Sequence, residues 1–173
     1  MKRVPSRHPE HLDGFSYLGP YRYSLRFCTD ERRSIFTSEA PVNLVRAQIL
    51  RSSEEQHFGV IAYCFMEDHL HLLVEGQTEA ADCKQFIARC KQYSGFYFAR
   101  DFRSRLWQRY GFERILRPEE PTFVVARYIL ENPIRAGLVR RIEDYPFLGS
   151  FLYTLPQLIE STYLDADAHQ QSD

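Results

Sequence analysis

The chain has 173 residues, 44% apolar, 26% charged and 14% aromatic, which suits one domain around a sizeable core and excludes global disorder. The formal net charge of -1 hides an asymmetry: Lys84 to Arg141 holds 13 Lys/Arg against five Asp/Glu, and the rest of the chain is correspondingly acidic. A local basic block suits either an ordinary solvated surface or a polyanionic partner.

Residues 1–19 place Pro5, Pro9, Gly14 and Gly19 among polar neighbours and read as an irregular lead-in. Tyr21 to Phe27 alternates bulky and polar positions, the pattern of a half-buried strand. A helix is expected to follow Pro41 and to run through Leu44, Val45, Ala47 and Ile49 to about Arg51. Phe58–Phe65 and His69–Glu75 are β-rich runs separated by Met66, Glu67 and Asp68, so they should pair as a hairpin at the centre of a sheet. Ala80 to about Arg100 reads as a helix with Phe86, Ile87 and Cys90 on its apolar stripe. Leu106–Leu116 returns to strand character and Pro118 ends it. Pro121–Asn132 is helical, with Pro133 and Gly137 marking its stop or bend. This order predicts an α+β fold, an antiparallel sheet with helices packed on it in the ferredoxin-like arrangement that RRM domains also use. The main domain is expected over 20–141, and 142–173, with Tyr145-Pro146-Phe147, is expected as a C-terminal extension.

Two groups of residues could carry chemistry. Within the second hairpin strand, His69 and His71 share one face and Leu70, Leu72 and Val74 the other, so two imidazoles stand side by side above the sheet. That is a metal-binding posture with coordination positions left open. On the following helix, Tyr128 and Asn132 are one turn apart, while Phe123, Ala126, Leu130 and Ile134 form a separate apolar stripe. Tyr128 is therefore free to act as a nucleophile if a metal polarises a phosphodiester, and Asn132 offers an amide oxygen as a third ligand. Tyr93 and Tyr97 are rival tyrosines, but only Tyr128 is followed by an asparagine at one turn. The basic block interleaves cations with aromatics, as single-strand binding requires. From it Arg105, Trp107, Arg109, Tyr110, Arg114, Arg127 and Arg135 are expected to contact the strand, with Tyr110 or Tyr145 stacking on unpaired bases. Arg32 and Arg33, outside the block, are expected to matter little for binding.

Met66-Glu67-Asp68-His69-Leu70-His71-Leu72-Leu73, Leu106-Trp107-Gln108, the run from Arg127 through Asn132-Pro133 to Val139, and Asp144-Tyr145-Pro146 together resemble the REP-associated tyrosine transposases. These are single-tyrosine HUH transposases of bacterial insertion sequences, and the resemblance covers roughly residues 20–150. It implies an HUH endonuclease core with metal ligands at His69, His71 and Asn132 and the nucleophile at Tyr128. It also implies Mg²⁺ or Mn²⁺, and cleavage of single-stranded DNA at hairpin-forming sequences through a 5′-phosphotyrosine bond, in the service of transposition. No nucleotide cofactor is then needed. Relatives often carry Asn where this chain has Asp68, which in a regular strand should point away from the metal. The first strand lacks the histidine that relatives often carry near its start.

Other readings use the same residues. A domesticated transposase would grip structured nucleic acid on the basic face without cutting it. A zinc hydrolase would add a cysteine such as Cys64 to His69 and His71, though no third ligand stands at a usual zinc spacing. No apolar run approaches the roughly 18–20 residues of a membrane span, and no apolar stretch follows the basic start, so neither a span nor a secretory signal is expected. Four cysteines without a CxxC pair suggest reduced thiols. A cytoplasmic, nucleoid-associated monomer or homodimer is expected.

Overall fold

The computed structural model describes residues 15–170, with side chains described through residue 165. The irregular lead-in expected over 1–19 lies outside the described residues as far as residue 14. The elements are β1 (Arg22–Cys28), α1 (Glu39–Gln56), β2 (Phe58–Met66), β3 (His69–Gly76), α2 (Cys83–Phe102), β4 (Phe112–Ile115), α3 (Thr122–Leu130), α4 (Asn132–Arg135), β5 (Leu148–Gly149) and α5 (Leu155–Gln170). The strands form one sheet in the order β4-β1-β3-β2-β5. All neighbours are antiparallel. The first four strands and two helices make the ferredoxin-like split βαβ arrangement. Among the described residues no helix is long and apolar enough to cross a membrane.

Strand alternation divides the molecule into two layers. Tyr23, Leu25 and Phe27 of β1, Tyr63 and Phe65 of β2, and Leu70, Leu72 and Val74 of β3 face α1 and α2 and build the larger core. On the opposite face Ala62, Cys64, Met66 and Leu73 pack beneath Val125, Ala126, Ile129 and Leu130 of α3. Ile142, Tyr145, Leu148 and Leu158 join this second core. The segment expected as a C-terminal extension thus packs on the sheet and adds β5 beside β2.

Three elements differ from expectation. α1 starts before Pro41, with Ser38 at its N-cap, so the proline occupies the first turn, where its missing N–H is not needed. It continues to Gln56 because nothing after Arg51 breaks it, and His57 in the left-handed region closes it. The β2–β3 turn is Glu67-Asp68 alone, since Met66 already pairs with His69. Of the strand expected over Leu106–Leu116 only Phe112–Ile115 forms. The cause is Trp107, which makes an isolated bridge with Thr29 and turns its ring into the core against Phe27 and Phe36. Its indole N–H donates to Ser94 Oγ at 2.8 Å. Trp107 is 5% exposed and Tyr145, whose hydroxyl donates to the Phe65 carbonyl, is 8% exposed. Both are core residues, which corrects the expectation that they stack on DNA. The aromatic spacing alone could not separate the two uses.

Truncating Trp107 to alanine should therefore lower the unfolding free energy by about 3–5 kcal/mol in urea titration. Tyr110→Ala, at a ring 60% exposed, should change it by about 0.5 kcal/mol or less. Equal effects at the two positions would contradict this division.

Candidate active site

The β1–β3 register sets Cys28 opposite His69 and Arg26 opposite His71. Both imidazoles rise on the α3 side of the sheet, as the alternation requires. Their Nε2 atoms are 3.0 Å apart. That is a hydrogen-bonding distance between the two rings, and it is also the separation of two ligands about 2.1 Å from one cation at a right angle, so the pair is compatible with a shared octahedral metal. Burial holds both imidazoles below the usual histidine range, and His71 is pushed down to about 3 with help from His69, Arg26, Arg135 and Arg32. Neutral imidazole is the form that binds metal.

Asp68 does not point away from the histidines as a regular strand would place it. It lies in the tight turn and not in a regular strand, and its Oδ1 accepts from His69 Nδ1 at 2.6 Å. That bond fixes the tautomer, leaving the Nε2 lone pair toward His71. Arg32 pairs with the other carboxylate oxygen at 2.8 Å. Burial works against the Asp68 charge, but the His69 hydrogen bond and Arg32 outweigh it and hold the carboxyl below its usual range. Arg32 reaches Asp68 from a 3-10 turn in which Glu31 and Arg32 both have φ of 56°, a costly conformation for residues with a side chain. The pairing of Arg32 with Asp68 carried no signal in the sequence, because the contact joins two turns far apart in the chain.

Tyr128 is 61% exposed on α3. It lines one cavity of about 370 Å³ together with His71, Arg26 and Phe112. The Arg135 guanidinium stacks 3.9 Å from the centroid of its ring and donates to its backbone carbonyl. Pro133 cannot donate to the Ile129 carbonyl, and α3 ends at Leu130. Asn132 Nδ2 donates to that carbonyl at 3.0 Å and to the Tyr128 carbonyl at 3.3 Å, which engages its amide nitrogen and leaves the oxygen as the end suited to a cation. Arg22 was not anticipated. Its guanidinium donates to the carbonyls of Arg117, Pro118 and Glu120 and to Thr122 Oγ1, tying β1 to the first turn of α3.

The rival tyrosines lie elsewhere. Tyr93 and Tyr97 are on α2, in the layer on the other side of the sheet, and Tyr93 donates to Glu55 Oε2 beneath the Arg51 guanidinium. The zinc alternative finds no support either: among the described residues no His, Cys, Asp or Glu joins the two histidines as a third ligand. Cys64 packs 3.9 Å from the Met66 sulfur, and burial pushes its thiol up to about 12, which disfavours the thiolate a metal needs.

The expected strand contacts divide by their local partners. Arg127 pairs with Glu131 at 2.8 Å and covers Tyr163, and Arg114 grips both oxygens of Glu120. Arg135 is held by Tyr128 and by Glu131 at 3.7 Å. Arg105 donates to the Trp107 carbonyl, lies 3.7 Å from Asp30 and keeps a side chain 62% exposed. Arg109 lies over the exposed ring of Tyr110.

The family model described as "Transposase IS200 like" matches residues 19–132. A Haemophilus influenzae protein named "Putative REP-associated tyrosine transposase" is 24% identical over 119 residues, 61% of this chain and 66% of that protein. The chain therefore spans slightly less than two thirds of that relative's length. A solved structure of a REP-associated tyrosine transposase bound to a REP hairpin superimposes with a TM-score of 0.66 at 18% identity, over 78% of this chain and 79% of the other; at that identity the likeness concerns the fold. With two thirds of its length inside the family model, the chain belongs to the IS200-like transposase family.

Proposed function

We propose that this chain is a metal-dependent single-stranded DNA endonuclease and strand transferase that acts at hairpin-forming, REP-like sequences through a 5′-phosphotyrosine on Tyr128. The observation that carries the reading is the single cavity that holds Tyr128 and His71 on the face bearing both histidines. The Tyr128 oxygen attacks phosphorus and releases its proton to solvent, and the leaving 3′ oxygen takes one up from solvent. The bond from phosphorus to the 3′ oxygen breaks, and that strand leaves with a free 3′-OH. The new P–O bond to tyrosine conserves the phosphodiester energy, so a 3′-OH can reverse the step without a nucleotide cofactor.

A phenol is a weak nucleophile near neutral pH, its ordinary pKa being about 10. His69, His71 and Asn132 would hold Mg²⁺ or Mn²⁺, which when bound polarises the phosphodiester and offsets its charge. Asp68 and Arg32 keep the His69 ring in its ligating orientation. Arg135 restrains the Tyr128 ring. Arg105 and Arg109, with Tyr110, are the members of the basic block best placed to follow a strand. The fold shared with a hairpin-bound relative supports a hairpin with single-stranded flanks as substrate.

Incubation with single-stranded hairpin DNA and Mg²⁺ should give a covalent adduct on a denaturing gel. Tyr128→Phe should abolish it while hairpin affinity stays within about twofold, because only the attacking oxygen is lost. An adduct that survives in Tyr128→Phe and vanishes in Tyr93→Phe or Tyr97→Phe would refute the assignment. Hairpin binding by the wild type with no adduct would favour a domesticated binding module.

His69→Ala, His71→Ala or excess chelator should remove cleavage, and Mg²⁺ or Mn²⁺ should restore the chelated wild type. Asp68→Ala should weaken Mn²⁺ binding about 10–100-fold by calorimetry, and Asp68→Asn, which can still accept from Nδ1, should recover most of it. Unchanged Mn²⁺ affinity in Asp68→Ala would remove Asp68 from the site.

Because both imidazoles are held below the usual value of about 6.5, acidification protonates them late. Mn²⁺ binding should persist through that pH and be lost only as pH falls further toward the lowered values. Half-loss of Mn²⁺ binding at or above pH 6.5 would contradict this electrostatic account.

A further inference from the structure

The cavity beside Tyr128 extends past the groups that the cleavage step uses. Ser24 and Arg26 line it from β1, Phe112 from β4, and Val124 and Val125 from α3. Its volume, about 370 Å³, lies within the usual range for small-ligand sites, about 300–1,000 Å³. Phe112 is 45% exposed and Val124 40%, so apolar surface is held open next to the proposed chemistry. Two arginines reach the cavity and differ in their partners. Arg114 is neutralised by both oxygens of Glu120. Arg26 has no ion-pair partner among the described residues; its guanidinium rests 5.6 Å from the Phe112 centroid, and it stands opposite His71 in the register.

We propose that this cavity receives one unstacked nucleotide of the strand, adjacent to the attacked phosphate, with its base against Phe112 and its own phosphate on Arg26. The inference rests on the reading of Tyr128 as the nucleophile. A nucleobase matches what the cavity offers: a flat apolar face for the ring and the valines, and polar edges for Ser24 at the wall. An uncompensated cation beside an open aromatic ring is the combination by which single-strand sites hold phosphate and base together. A base paired within a duplex cannot enter, because its faces are already covered by its neighbours. The cavity therefore makes Phe112 and Arg26 specificity-determining residues that demand an unpaired nucleotide at one position.

The test uses hairpin oligonucleotides carrying 2-aminopurine at one position at a time along the single-stranded flank, titrated into the full chain bearing Tyr128→Phe. One position is expected to show a change in fluorescence on binding, and adding Phe112→Ala should abolish it and weaken affinity about 5- to 100-fold. Phe112→Leu, which keeps an apolar side chain without a ring, should behave alike. Arg26→Ala should reduce the slope of log affinity against log salt by about one phosphate contact. Phe96→Ala, an exposed ring on α2 across the sheet, should change neither reading. No position-specific signal, or a signal unaltered by Phe112→Ala and Phe112→Leu, would overturn the proposal. Adduct formation by the wild type on the same oligonucleotides separates the two readings: an adduct without a Phe112-dependent signal rejects the nucleotide pocket alone, and a Phe112-dependent signal without an adduct rejects cleavage alone.

Discussion

The register between β1 and β3 is the constraint on which the rest of the molecule depends. Antiparallel pairing of Arg22 with Glu75 through Cys28 with His69 assigns every side chain of the two central strands to one layer or the other. Leu25, Phe27, Leu70 and Leu72 go to the side of α1 and α2, while Ser24, Arg26, His69 and His71 go to the side of α3. A slip by one residue would exchange the two sets. It would drive two imidazoles and a guanidinium into a core of Phe36, Phe65 and Phe86, where burial of polar groups without partners is costly. The hydrophobic layer and the polar face thus specify each other.

Tyr128 reaches that face on a helix of nine residues, too short to be stable alone in water. Its position comes from what holds it. Val125, Ala126, Ile129 and Leu130 press its inner face on the sheet, and Arg22 gathers the backbone carbonyls that precede it. At the other end Pro133 interrupts the helical ladder and the Asn132 side chain supplies the missing donor. The asparagine amide nitrogen thus closes the helix that carries Tyr128.

Alternation in Tyr21–Phe27 and in His69–Glu75 exposed the layer division in the sequence, and the four-residue step from Tyr128 to Asn132 singled out the candidate residues on α3. These are local periodicities, and local periodicity survives in one dimension. The failures share another character. Trp107 looked like a DNA-stacking aromatic because burial depends on Phe27, Phe36 and Ser94, all distant in sequence. Asp68 looked inert because its partners sit across a ring and in another turn. Arg22, Ser24 and Arg26 were legible as one strand face, but which layer they joined was settled only by pairing with β3. The basic block was legible as charge, yet Arg114 and Arg127 are matched by Glu120 and Glu131, and composition cannot reveal such pairing.

α5 lies behind α3, with Leu158 fully buried in the shared core and Tyr163 beneath the Arg127 guanidinium. The helix bearing the tyrosine is therefore enclosed on both sides by its own chain: sheet in front, α5 behind. The cavity that Tyr128 shares with His71 is thus walled by a helix that the same chain seats from both sides. A second copy is not needed to hold α3 against the sheet, so pairing of two molecules, where it occurs, meets a helix already seated by its own chain.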